Sequence, residues 1–125
     1  MTEQEHLITL TEWGLHVVLR EGVVIDDNNI LPKIQRVIEK CKEINKNRIL
    51  IDASKALRKV SVMKFIEVDE LLAKINAHFK IAFIAPLLVD DEKSKFHETF
   101  GFNRGVFIRY FSDEDAAVKW LSEKM

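Results

Sequence analysis

The stretch R-I-L-I-D at residues 48–52 constrains this chain more than any other. Ile49, Leu50 and Ile51 are consecutive β-forming apolar residues that end at Asp52. Successive side chains of a strand point to opposite faces, so an apolar residue at every position calls for cover on both sides. Residues 80–86, K-I-A-F-I-A-P, repeat the pattern. Such strands belong in a sheet packed between helices, and the polar loop after the strand is where α/β proteins usually place their working surface.

The rest of the chain fits that frame. Residues 7–11 and 15–20 alternate and read as an antiparallel hairpin, with Gly14 near its turn. Gly22 and the D-D-N-N run at 26–29 mark a loop and a helix start. Ile30, Ile34, Val37, Ile38, Cys41 and Ile44 recur at helical spacing, with Pro32 in the first turn and Asn45 and Asn47 at the end. A strand at 48–53 follows. Ser61 then opens a helix whose apolar face carries Val62, Phe65, Ile66, Leu72, Ile75 and Phe79. Residues 90–100 predict a short helix closed by Gly101, and 106–111 a further strand. Ser112 is expected to cap the last helix, with Asp113, Glu114 and Asp115 in its first turn and Ala116, Ala117, Trp120 and Leu121 as its stripe.

The resulting order is β-β-α-β-α-β-α-β-α. It predicts an α/β fold with a mixed, mostly parallel sheet of about five strands and four helices, its first strand an antiparallel edge. At 125 residues and 47% apolar content, one domain spanning 1–125 with a real core is expected. Nineteen basic against twenty acidic residues leave a charge of -1, which gives no electrostatic case for nucleic acid or an anionic membrane. Cys41 is the only cysteine, so no internal disulfide forms, and a cytoplasmic location fits. The polar start M-T-E-Q-E-H does not read as a signal peptide. The longest apolar run, residues 81–89, contains Pro86 and is too short to span a bilayer.

With R-I-L-I-D, K-I-A-F-I-A and the ending V-F-I-R-Y-F-S-D-E-D-A-A-V-K-W-L in this order, the chain resembles the SpoIIAA-like group of the STAS superfamily, over residues 7–121. The resemblance implies a compact α/β domain without a cofactor. It also implies a non-enzymatic switch or partner-binding module, since the type members are anti-sigma-factor antagonists. In those, a D-S-S-G-L-like motif after the third strand carries a serine phosphorylated by a partner kinase. Ser61, nine residues after Asp52, falls close to that position, but its neighbours are K-V-S-V-M, without the acidic residue and the glycine. The CRAL-TRIO superfamily, similar in architecture, binds lipids in an apolar cavity and supplies a second expectation.

Two candidate sites follow. The first is a switch or partner contact at Ser61, Asp52 and Ser54. Ser61 reads either as an N-cap or as a phosphosite at a helix N-terminus, with Lys55, Arg58 and Lys59 adding positive charge. Asp52 reads either as a turn residue or as a positioned carboxylate.

The second is a ligand pocket at Phe100, Phe102 and Arg104. Six of the eleven aromatic residues lie between Phe96 and Phe111, and Phe102 sits in F-G-F-N-R-G, an odd place for a ring in solvent. Arg104 would hold an acidic head group. Phe107 and Phe111 share strand parity, which turns Tyr110 to the other face. The four histidines form no zinc arrangement, so no metal site is expected, and His97 reads mainly as a surface residue.

The expectation is thus a non-catalytic regulatory or protein-interaction module with an unidentified protein partner. The alternative is a small carrier of an apolar, lipid-like molecule. An acid–base enzyme built on Asp52 or His97 ranks third, and whether the chain forms a homodimer is left open.

Overall fold

A computed structural model describes residues 6–75 and 78–123. The strands are β1 (His6–Leu10), β2 (Leu15–Leu19), β3 (Val24–Asp26), β4 (Arg48–Asp52), β5 (Leu57–Lys59), β6 (Lys80–Ile84) and β7 (Phe107–Phe111). The helices are α1 (Ile30–Ile44), α2 (Val62–Ile75), α3 (Glu92–Asn103) and α4 (Glu114–Ser122), with a 3-10 turn at Pro86–Leu88.

Five strands form one sheet in the order β1-β2-β4-β6-β7. β1 pairs antiparallel with β2, and the remaining neighbours run parallel. The expected α/β architecture holds, with β1 at its antiparallel edge. Two elements add to it. β3 and β5 pair with each other in a separate parallel ribbon.

The apolar runs divide between two cores as the pleat requires. Ile49 and Ile51 of β4 enter the larger core with α1 and α2, while Leu50 between them enters the smaller core under α4. In β6, Ile81 faces the larger core and Ala82 and Ile84 the smaller. In β7, Tyr110 and Phe111 part to opposite sides in the same way.

Local signals set most boundaries. Asn45 takes the left-handed conformation after α1, at φ 57°, and its amide bonds the Cys41 and Lys42 carbonyls. Gly14 lets the hairpin press on β4, because a Cβ there would lie 2.0 Å from the Arg48 carbonyl oxygen. Two cations grip the far end of α4. Arg48 donates to the Leu121 and Glu123 carbonyls, and Lys80 to those of Trp120 and Glu123.

Several expectations shift. Asp113 rather than Ser112 caps α4, its side chain accepting from the Ala116 amide at 2.9 Å. Ala116 is exposed, leaving Ala117 and Leu121 as the buried stripe. α3 runs past Gly101 to Asn103, which puts Phe102 on its last turn rather than in a loop. Phe79 lies outside α2, buried just before β6.

Candidate functional site

Of the residues singled out in the sequence, Asp52 and Ser54 lie at the C-terminal end of a parallel strand, while Phe100, Phe102 and Arg104 lie at the end of α3, before β7. At the last position of β4, Asp52 accepts from the Ser54 amide at 3.1 Å and the Ser54 hydroxyl at 2.6 Å. This is an Asx turn, in which the aspartate satisfies the bend that leaves the strand.

Ser61 sits apart from that pair. Its hydroxyl accepts from the Lys64 amide at 3.2 Å, the bond of a helix N-cap. Its own amide donates to Asp27 Oδ1 at 2.8 Å. That amide, followed by the Ser61 hydroxyl, holds the Asp27 carboxyl below the usual carboxylate range. The structure therefore groups Ser61 with Asp27, on the loop before α1, and groups Asp52 with Ser54. Arg58 turns inward rather than toward Ser61.

Arg58 belongs to a polar chain that runs into the core. Its guanidinium Nη2 donates to Asp91 Oδ2 at 2.7 Å, and Nη1 donates to Ser94 Oγ at 2.9 Å and to the Tyr110 hydroxyl at 3.2 Å. The guanidinium also lies 5.2 Å from the Phe65 ring centroid. Asp91 caps α3 through the Lys93 and Ser94 amides. Desolvation opposes its ionisation, but Arg58 and those amides outweigh it and hold the carboxyl low.

Behind Tyr110 lies His97, with Nδ1 at 3.1 Å from the Tyr110 hydroxyl and Nε2 at 2.8 Å from Asp69 Oδ1. A neutral imidazole protonated on Nε2 satisfies these contacts, since it donates to Asp69 while Tyr110 donates to it and accepts from Arg58. His97 stacks on Phe65 with centroids 4.3 Å apart. Asp69 is fully buried, and its Oδ2 has no hydrogen-bond partner among the described residues. Burial raises the Asp69 carboxyl above its ordinary value, against the bond from His97. Burial likewise pushes the Tyr110 phenol up to about 12.

His97 is thus a core residue, not a surface one. Its partners come from α2 and β7, and no local motif joins them. One signal was present. Asp69 stands among Phe65, Val68 and Leu72 on the apolar stripe of α2, and a carboxylate there demands a buried partner.

Next to this chain is a cavity of about 80 Å³. Its walls are mostly apolar and include Val17, Ile51 and Phe65, with Arg58, His97 and Tyr110 also lining it. Ile25, Leu57 and Leu88 bring the β3–β5 ribbon and the 3-10 turn to its edge. Phe100, Phe102 and Arg104 do not line it. Arg104 stacks on Phe100 at 3.6 Å, and Phe102 meets Phe107 edge-on at 5.8 Å along a shallow groove that includes Trp120. No group of three or more His, Cys, Asp or Glu among the described residues is placed to hold a metal. No described helix is long and apolar enough to cross a membrane.

The architecture matches a solved structure. A crystal structure of an uncharacterized DUF3478-family protein with a SpoIIAA-like fold, from Shewanella loihica PV-4, superposes with a TM-score of 0.56 at 14% identity. The match covers 93% of this chain and 91% of that one. The fold is SpoIIAA-like. No family model matches the chain, and no curated protein does. At this identity the SpoIIAA-like likeness carries the architecture alone, and function rests on the residues.

Proposed function

We propose that this SpoIIAA-like domain is a non-catalytic protein-interaction module that meets its partner at the C-terminal ends of its parallel strands. The observation that carries this reading is the apolar exposure there. Leu87, on the turn after β6, is 95% exposed, and Leu57 of β5 and Met63 in the first turn of α2 are each more than half exposed. Large apolar side chains held in solvent at that end suit a contact surface. The interior supports the same reading. His97 is bonded to both Asp69 and Tyr110, and all three are buried, an arrangement that favours a structural network over acid–base chemistry on a substrate.

The test compares partners captured by the wild type, by Leu57→Asp/Leu87→Asp, and by Phe102→Asp as a distant surface control. A specific partner retained by the wild type and the control but lost with the double variant is expected. Identical capture by all three would remove the assignment. Ser61→Asp is expected to alter binding of the same partner if the N-terminus of α2 forms part of the contact.

The cavity favours a second reading, a carrier of a small apolar group. Its volume of about 80 Å³ is well under the roughly 300 Å³ at which ligand pockets begin. A lipid-like molecule would therefore need the β3–β5 ribbon to lift. Native mass spectrometry of freshly purified protein decides this reading, with a retained ligand expected under it and a bare chain counting against it.

A further inference from the structure

The two edges of the sheet are finished differently. At β7, the backbone amide of Tyr110 is taken by Glu98 Oε2 of α3 at 2.7 Å, and Arg109 sits exposed in the middle of the strand. A plugged amide and an edge cation are devices that keep other strands away.

β1 has neither device. Its sequence, H-L-I-T-L, contains no Lys, Arg, Asp, Glu or Pro, and Leu7 and Leu10 are each more than half exposed. Thr11 donates to the Gly14 carbonyl, so by antiparallel alternation Thr9 and Leu7 bond inward to β2, and the backbone groups of Ile8 and Leu10 face out. Among the described residues, no side chain hydrogen-bonds to that outward backbone of Ile8 or Leu10.

A groove of about 860 Å³ runs between β1 and α1. From α1 it is lined by Arg36, Glu39, Lys40 and Glu43. The order of these charges selects an occupant. A two-fold axis perpendicular to the sheet at the β1 edge places α1 antiparallel to its copy on the same face. With the axis level with the step from Glu39 to Lys40, Arg36 faces the copy's Glu43 and Lys40 faces the copy's Glu39, all at once. A two-fold interface must be self-complementary in this way. The net charge of -1 offers no opposing repulsion.

We propose that the protein associates with a second copy of itself through antiparallel pairing of β1, with the two α1 helices exchanging ion pairs above the joined sheet. The proposal is independent of the partner surface at the strand ends.

Sedimentation equilibrium over a range of protein concentrations tests it. The wild type is expected at twice the 14.5 kDa chain mass. Lys40 already lies 3.8 Å from Glu43 of its own helix, so both swaps also break a local pair. Glu39→Lys/Glu43→Lys and Arg36→Glu/Lys40→Glu should each weaken self-association by more than about tenfold while leaving the circular dichroism spectrum folded. Mixing the two variants should restore a heterodimer, which a merely misfolded variant cannot do. Leu7→Lys/Leu10→Lys should give a folded monomer by circular dichroism. A wild type that stays monomeric, including one that accepts only an extended peptide at β1, overturns the proposal. So does a dimer indifferent to the charge swaps and to the β1 lysines.

Discussion

His97 and Asp69 meet at 2.8 Å where neither side chain reaches solvent, one carried by α3 and the other by α2. The bond joins the two helices beside Gly101, whose missing side chain lets α3 pack closely on the segment that enters β7. A Cβ on Gly101 would lie 3.0 Å from the Val106 carbonyl oxygen and 3.6 Å from Asp69 Oδ2.

This pair predicts a divergence between two substitutions. Asp69→Ala leaves the buried His97 nitrogen without its acceptor, and should cost about 3 kcal/mol in urea unfolding at pH 7. Asp69→Asn keeps an acceptor and removes a buried charge, and should stay within about 1 kcal/mol of the wild type. The pH dependence has a definite sign. Burial raises the Asp69 carboxyl, so the native state binds its proton more tightly than the unfolded chain does. Stability attached to Asp69 is therefore greatest below the ordinary carboxylate value of 3.8 and falls as pH rises through the raised folded value. Wild type should gain on Asp69→Asn as pH drops through that window. Parallel stability curves for the two proteins would contradict the assignment.

Arg58 ties the β3–β5 ribbon to α3, and its bonds to Asp91, Ser94 and Tyr110 close one side of the cavity. Arg58→Ala should cost about 1–2 kcal/mol, a modest loss for a forked ion pair because Asp91 is partly solvated. Amide exchange at residues 57–59 should accelerate, and ANS fluorescence should rise as apolar walls open. Arg58→Lys should recover little, because one ammonium cannot reproduce the forked contacts. Unchanged exchange in the alanine variant would show that the ribbon is held by its own pairing instead.

The sequence was legible where a residue's role is decided by its neighbours in the chain. R-I-L-I-D announced a strand covered on both faces, and Asn45 and Ser61 announced a helix end and a helix start through their own backbone preferences. The match in fold followed from the order of such elements. What depends on distant contacts was not legible. β3 and β5 have three residues each, too few to show a period, and exist by pairing with each other across α1 and β4. Ser112 and Asp113 are both good caps, and only the geometry of the turn awards the Ala116 amide to Asp113. α3 buries Ser94, His97 and Gly101, a polar and small face with no apolar stripe to reveal it. His97 therefore read as surface, and the candidate pocket was drawn to the phenylalanines rather than to the wall that holds the imidazole.

Ser61 and Asp27 predict what a negative charge at position 61 would do. Ser61→Ala removes the N-cap and should cost about 1 kcal/mol. Ser61→Asp keeps a capping oxygen but sets a second carboxylate against Asp27, and should be less stable than Ser61→Ala at neutral pH. Asp27→Asn should rescue it. In the wild type the Asp27 carboxyl is held low by the Ser61 amide and hydroxyl. Its contribution is present above the ordinary value of 3.8 and is lost as pH falls through the lower folded value. In Ser61→Asp the sign should reverse, with stability recovering toward acid as one carboxylate of the pair takes a proton. Thermal unfolding of the four proteins from about pH 3 to about pH 7, a range that spans carboxylate titration, separates these outcomes.

Phe102 and Val17 test where the apolar space lies. Phe102 is 64% exposed on the last turn of α3, so Phe102→Asp should change stability by no more than about 0.5 kcal/mol. Val17 is buried in β2 and lines the cavity, where one added methyl has space to enter. Val17→Ile should stabilise by about 0.5–1 kcal/mol, as cavity-filling changes commonly do. Xenon reports on dry apolar cavities. Under xenon pressure, amide shifts should move around Val17, Ile51 and Phe65, persist in Phe102→Asp and shrink in Val17→Ile. Shifts centred on Phe102 and Phe107 instead would return the pocket to the phenylalanine-rich segment.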